Sequence, residues 1–241
     1  MSYWREKVAV VTGCNNELGV ALTAGLVKEG MTTVGIDNDV EIVNEIAARV
    51  KFLASGKYNG KLVLFKCDTS SMDEVKAVFK KIVDTYGGID LLINNAAYKD
   101  DSLINAGNKD TLKKTIDVNV SGAVACTRLT VESIMKRKTR GHIIHINDIR
   151  SYQLANQDTN SVYLTTKYAV TAINDTLRHE FRYLKANIKV TNIAVETAIE
   201  DNKPLLSPEE ITDVVVATLN TPEHVQIHEI IIEPALQWYK G

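Results

Sequence analysis

With 241 residues, 45% of them hydrophobic and 24% charged, the chain has the balance of a globular protein and enough length for one full core. A chain this long hides roughly 70–75% of its unfolded surface, so neither disulfides nor metal staples are required. A formal net charge of −2 and a pI near 6.2, without a long basic block, argue against nucleic acid or an anionic membrane as the main partner.

No apolar run approaches the ~18 residues of a membrane helix, and the opening stretch is too short for a signal peptide. Cys14, Cys67 and Cys126 lie far apart with no CxxC, which suggests neither a disulfide framework nor a zinc site. A reducing cytoplasm is the default compartment, and no metal is expected. His142 and His145 lack ligand partners at sensible spacing and read as satisfied or exposed histidines. Trp4 and Trp238-Tyr239, near the termini, read as packing residues.

In chain order, short β-branched runs predict strands at Lys7–Val11, Thr32–Ile36, Lys61–Phe65, Leu91–Asn94, His142–Ile146, Ile188–Ile193 and Ile227–Ile232. Amphipathic stretches between them predict helices near Leu18–Glu29, Val40–Leu53, Met72–Thr85, Thr111–Arg137, Ser161–Tyr183 and Pro208–Leu219. Nearly continuous apolar strands alternating with helices mean a parallel sheet covered on both faces. Seven strands are too few for a (β/α)₈ barrel. The expected fold is therefore α/β, a doubly wound, Rossmann-type open sheet in a single domain over residues 1–241. No linker, repeat or low-complexity tract interrupts it.

The first strand runs into a turn holding Gly13, Glu17 and Gly19 and then into a helix. Free N–H groups at a helix start attract phosphate, and glycine lets the backbone come close to it. Such a turn also occurs for packing alone. The second strand ends at Asp37, where a carboxylate can accept hydrogen bonds from an adenosine ribose and would repel a 2′-phosphate. Equally, Asp37-Asn38-Asp39 could be a solvated turn.

Further motifs follow in order: Asp68 after the third strand, Asn94-Asn95-Ala96 after the fourth, Asn119 in Asp-Val-Asn-Val, and Tyr163-x-x-x-Lys167. With Thr12-Gly13 and Gly19, this set resembles the short-chain dehydrogenase/reductase family over essentially the whole chain. Within it, Thr165-Thr-Lys-Tyr-Ala-Val-Thr-Ala and Thr221-Pro-Glu-His-Val-Gln-Ile look closest to the farnesol-dehydrogenase-like branch. The resemblance implies a dinucleotide at the strands' C-terminal edge, hydride transfer between alcohol and carbonyl, and two long helices pairing with a second copy into a homodimer or homotetramer. It assigns Gly13, Asn15, Leu18, Gly19, Asp37, Asp68, Asn94, Ala96 and Thr197 to the cofactor, with NAD preferred over NADP. It assigns Tyr163, Lys167 and Asn119 to catalysis. Asn119 would hold a water linking the lysine to solvent.

The pair has its own logic. Tyr163 and Lys167 are spaced i,i+4 and share a helix face. An adjacent ammonium favours the phenolate and draws a phenol's pKa down from about 10 toward neutrality.

Departures from the family pattern cluster on this site. Glu17 replaces the middle glycine, and could either compete with a pyrophosphate or turn outward and charge the first helical turn. Arg150 stands where the family has a substrate-orienting serine, thirteen residues before the tyrosine. It could donate to a carbonyl, depress the tyrosine pKa or clamp a carboxylate, or it could pair with Asp148 on the same face. Ser151, one residue on in an extended segment, would point to the opposite face. The Pro-Gly turn expected after the sixth strand is missing, so the placement of Thr197 at the nicotinamide is in question, and the substrate lid is reduced to Ala198–Leu206. Ala97 replaces a usual glycine.

Two functions remain open. One is NAD-linked oxidoreduction of a small hydrophobic alcohol or carbonyl, with the changes weighing toward impaired catalysis. The other is a non-catalytic descendant that binds a small molecule or serves as an oligomeric scaffold.

Overall fold

The strands at the middle of the sheet are largely apolar on both faces because helices cover both faces. The computed structural model describes residues 3–39, 43–53, 60–100, 103–152, 161–196 and 206–235. Strands β1 (Val8–Thr12), β2 (Thr32–Asp37), β3 (Lys61–Lys66), β4 (Leu91–Asn94), β5 (Gly141–Asp148), β6 (Ile188–Val195) and β7 (Glu229–Ile232) form one sheet in the order β3-β2-β1-β4-β5-β6-β7. Every pairing is parallel.

Alternation along each strand divides the core. Val10, Ile36, Leu92, Ile143 and Val190 face helices α3 (Met72–Tyr86), α5 (Ala123–Arg137) and α6 (Ser161–Tyr183). Val11, Leu91, Ile93, Ile144 and Ile193 face α1 (Glu17–Lys28) and α7 (Pro208–Leu219). Trp4 closes that second layer, fully buried, with Nε1 donating to the Leu219 carbonyl at 2.8 Å. No helix among the described residues is long and apolar enough to cross a membrane. Cys14, Cys67 and Cys126 are free and buried.

Several boundary expectations need correction. The helix expected over Thr111–Arg137 is α4 (Lys109–Ile116), a π-helical segment (Asp117–Gly122) and α5. Hydrophobic periodicity does not register a single widened turn, and this one carries a buried asparagine that holds a neighbouring loop. Strands β5 and β6 run on to Asp148 and Val195, because they pair with each other over eight residues. The last strand starts at Glu229 rather than Ile227, and α2 is Val43–Leu53, residues 40–42 lying outside the description.

Candidate active site

Chain order reverses between β1 and β4, and the C-terminal ends of those strands leave a crevice between their loops. Gly13 sits there with φ +67°, and a Cβ on it would lie 2.8 Å from the Ala96 Cα. A Cβ at Gly19 would meet the Gly13 carbonyl oxygen at 2.0 Å, so both positions exclude larger residues. Asn16 caps α1, its Oδ1 accepting from the Gly19 N–H at 2.7 Å. Glu17 is the exposed first residue of α1 and lines no part of the crevice; it has the outward orientation that suits the helix dipole.

The crevice is a cavity of about 310 Å³ whose lining includes Gly13, Asn15, Asp37, Asp68, Ala96 and Tyr98. Asp37 Oδ2 accepts from the Asn15 N–H at 3.1 Å, which fixes the carboxylate beside the glycine turn. Asp68 Oδ1 accepts from the N–H and hydroxyl of Ser70 at 2.8 and 2.7 Å. Thr12 latches β1 to the β4 loop, its Oγ1 accepting from the N–H groups of Asn95 (3.0 Å) and Ala96 (2.9 Å).

Three other residues assigned to the cofactor lie elsewhere. Leu18 is half-buried against the α1/α7 layer, and Gly19 is buried in the first turn of α1. Asn94 is buried, with Nδ2 donating to Thr127 Oγ1 at 2.9 Å and meeting His145 Nδ1 at 3.3 Å. Thr197 lies outside the described residues.

A second cluster forms where β5 meets α6. Tyr163 and Lys167 are both buried, with Lys167 Nζ 5.5 Å from the Tyr163 ring centre and donating to the Ile146 carbonyl at 3.4 Å. Burial pulls the Lys167 ammonium down to about 8, Asp148 working against the fall and Arg150 with it. Asn119, in the π-helical segment, accepts from the Tyr98 N–H at 2.7 Å and donates to the Tyr98 carbonyl (2.9 Å) and Thr166 Oγ1 (3.0 Å). Its side chain thus ties the crevice wall to α6.

Arg150 is paired with Asp148. The carboxylate accepts from Arg150 Nε at 3.0 Å, Nη2 at 2.7 Å and the backbone N–H at 2.9 Å, and the Tyr163 hydroxyl donates to Asp148 Oδ2 at 3.1 Å. The segment is a 3₁₀ turn, Ile149–Ser151, not an extension of the strand, so pleat alternation does not govern it. Asp148 caps the turn, which brings Arg150 back over it; Ser151 Oγ donates to the Asp148 carbonyl at 2.7 Å.

The histidines read as satisfied or exposed are buried within β5. His142 Nε2 meets Thr191 Oγ1 at 2.9 Å, but His142 Nδ1 and His145 Nε2 have no partner among the described residues. Sequence reasoning also overlooked the Thr12 latch and the contact of Asp148 with Tyr163. An acid two residues before Arg150 was the sign of the Arg150–Asp148 pair; nothing local signals the contact of Asp148 with Tyr163.

The parallel sheet with a glycine crevice at its reversal point defines a dinucleotide-binding fold, and comparison with known proteins specifies its kind. Residues 7–203 match the family model for short chain dehydrogenases. The chain is 36% identical to farnesol dehydrogenase of Aedes aegypti over 97% of its length and 98% of that protein. It is 32% identical to human dehydrogenase/reductase SDR family member 11 over 98% of its length and 97% of that protein. Among solved structures, a metagenomic short-chain oxidoreductase in complex with NADP superposes with a TM-score of 0.84 at 22% identity, covering 97% of this chain and 99% of that one. An alcohol dehydrogenase from Thermococcus sibiricus complexed with 5-hydroxy-NADP gives 0.81 at 20% identity, covering 95% and 97%. The chain belongs to the short-chain dehydrogenase/reductase family, whose members bind a nicotinamide cofactor.

Proposed function

We propose that this protein is an NAD-linked oxidoreductase of small hydrophobic alcohols or carbonyls whose catalysis is impaired. The observation that carries the impairment is the Arg150–Asp148 pairing: the residue at the serine position holds a carboxylate through two side-chain nitrogens. An arginine donates only, whereas a hydroxyl both donates and accepts, so a serine's role at a substrate oxygen is not reproduced.

The crevice fits the adenosine half of the cofactor. Gly13 puts a stretch of backbone without a side chain on the crevice wall, where a phosphate can approach it, Asp37 offers carboxylate acceptors for a ribose diol, and Asn15, Asp68 and Ala96 complete the wall. When bound, the nicotinamide supplies the hydride chemistry. Tyr163 is the acid–base group that shares a helix face with Lys167, whose Nζ lies 5.5 Å from its ring centre, and Asn119 positions α6 against the crevice through Thr166. The name of the mosquito relative supports a terpenoid-like alcohol as the first substrate to try.

The test has two stages. Thermal shift and nicotinamide fluorescence with NADH measure binding before a substrate is chosen. A panel of terpenoid, steroid and aliphatic alcohols with NAD then measures turnover, expected several orders below the ~1 s⁻¹ typical of slow enzymes. Turnover at or above that value, abolished by Tyr163→Phe, rejects impairment.

A groove of about 630 Å³ between α5 and α6 supports an oligomer, which serves an enzyme and also the second reading, a non-catalytic oligomeric scaffold or small-molecule binder. Val124, Ala169 and Leu177 line it, whereas Ile134 is buried in the core and Leu129 packs against it. Covering this groove with a second copy makes the protein a homodimer or homotetramer, acting as one domain in the cytoplasm. Light scattering at micromolar concentration tests it, and a monomer rejects it.

A further inference from the structure

Asp148 is buried in the middle of the catalytic cluster and has no place in the tyrosine–lysine pair that surrounds it. We propose that Asp148 is the residue that fixes the proton on Tyr163, a positioning residue that keeps the phenol a hydrogen-bond donor while Arg150 holds the carboxylate in place. This rests on the reading of Tyr163 as the acid–base group.

The geometry assigns the proton. An ionised carboxylate has about four acceptor positions and no donor. At Asp148, Oδ1 receives the Arg150 backbone N–H and Nε, and Oδ2 receives Arg150 Nη2 and the Tyr163 hydroxyl. The contact between Asp148 Oδ2 and Tyr163 Oη, at 3.1 Å, is therefore bonding only while the phenol keeps its hydrogen. A phenolate there would set two anions against each other out of reach of water.

The surrounding charges show why the carboxylate decides. Arg150 Cζ lies 5.6 Å from the Tyr163 ring centre and Lys167 Nζ 5.5 Å. Both cations favour phenolate, and Asp148 is the opposing charge. From the π-helical segment the neutral Asn119 reaches α6, and His145 on β5 feels Lys167 and stays neutral in its buried site. Burial, reinforced by the charge of Asp148 and the hydrogen bond to it, pushes the Tyr163 hydroxyl above the ordinary phenol range, with Arg150 pulling the other way. The carboxyl resists protonation: burial raises it, but the hydrogen bonds and charge of Arg150, with Lys167, hold it below the ordinary carboxylate range.

The two residues of the pair therefore have opposite effects on the phenol, and single substitutions separate them. Ultraviolet titration of tyrosinate, each variant measured against the same variant carrying Tyr163→Phe, isolates this tyrosine; circular dichroism at each pH defines the range in which the fold persists. In the natural chain no Tyr163 signal is expected inside that range. Asp148→Asn keeps the shape and leaves two cations beside the phenol, so the signal moves down by about 1–3 pH units and enters the range. Arg150→Ser, which restores the family's serine, leaves Asp148 in place and moves it no lower. Asp148→Ser with Arg150→Ser falls between natural and Asp148→Asn.

A folded Asp148→Asn protein whose titration superimposes on that of the natural chain overturns the proposal, as does a larger downward move in Arg150→Ser. Should Asp148→Asn not fold, the double variant, which removes both charges, decides by the direction of its shift. A Tyr163 signal that enters the range without any turnover supports the proposal and counts against the oxidoreductase reading. Turnover regained in Asp148→Asn with the titration unmoved does the reverse.

Discussion

Arg150 and Asp148, two residues apart at the end of β5, form a bidentate buried pair: Nε on Oδ1 at 3.0 Å and Nη2 on Oδ2 at 2.7 Å. Their side chains are 9% and 2% exposed, so water screens the pair little. Removing one partner of a buried pair costs about 3–5 kcal/mol in proteins, because the other charge loses its main compensation, although Lys167 still acts on Asp148. Arg150→Ser should therefore destabilise the chain by about that amount in chemical denaturation, even though it restores a family residue. Asp148→Ser with Arg150→Ser should cost clearly less than the two single changes summed. An Arg150→Ser protein as stable as the natural chain would show that the pair contributes nothing.

Acid should weaken the fold through the buried histidines. Burial, with Lys189 and Arg140 for His142 and with Lys167 for His145, lowers them to about 3 and about 4. Unfolded histidines titrate near 6.5, so below that pH the unfolded chain binds protons that the native chain refuses. The stabilisation is complete above about pH 6.5 and is lost as pH falls through 4 and then 3, with a slope approaching 1.4 kcal/mol per pH unit for each histidine. Asp148, held below its ordinary value, extends the loss to more acid pH. Urea midpoints measured from pH 7 to 4 check this, and His145→Asn should flatten the slope.

Thr12→Ala should loosen the crevice from beneath. The hydroxyl accepts from two N–H groups of the β4 loop, and removing it strands both at about 1–3 kcal/mol each. Denaturation would show the loss of stability, and NADH titration a weaker affinity, because Ala96 lines the crevice and packs on Gly13.

NADH should bind more tightly than NADPH. The Asp37 carboxylate is fixed by the Asn15 N–H beside the glycine turn, and in the proposed mode of cofactor binding a 2′-phosphate would lie against it. Two unit charges 4 Å apart at an effective dielectric near 20 repel by about 4 kcal/mol, an upper guide to the discrimination. Fluorescence titration with both cofactors measures it, and Asp37→Ser should narrow the gap. Tighter NADPH binding would refute the assignment.

Much of this protein is written locally. Alternating β-branched runs and amphipathic stretches determined the parallel, doubly covered sheet, because a strand buried on both faces is apolar at most positions. Gly13 and Asp37 marked the crevice, since close backbone approach and a strand-end carboxylate depend on residue type and short spacing. The i,i+4 step from Tyr163 to Lys167 put both on one helix face. Tertiary structure decided the rest. Whether Asn94 faced the crevice or the sheet depended on Thr127 and His145, thirty-three and fifty-one residues away. The widened turn around Asn119 depended on what its side chain had to reach, the Tyr98 backbone and Thr166. The proton on Tyr163 depended most on distance, because β5 must end in a capped 3₁₀ turn under the start of α6 before the Asp148 carboxylate meets a phenol fifteen residues on. Hydrophobic pattern constrains which faces are buried; it carries no information about which buried polar atoms meet across them.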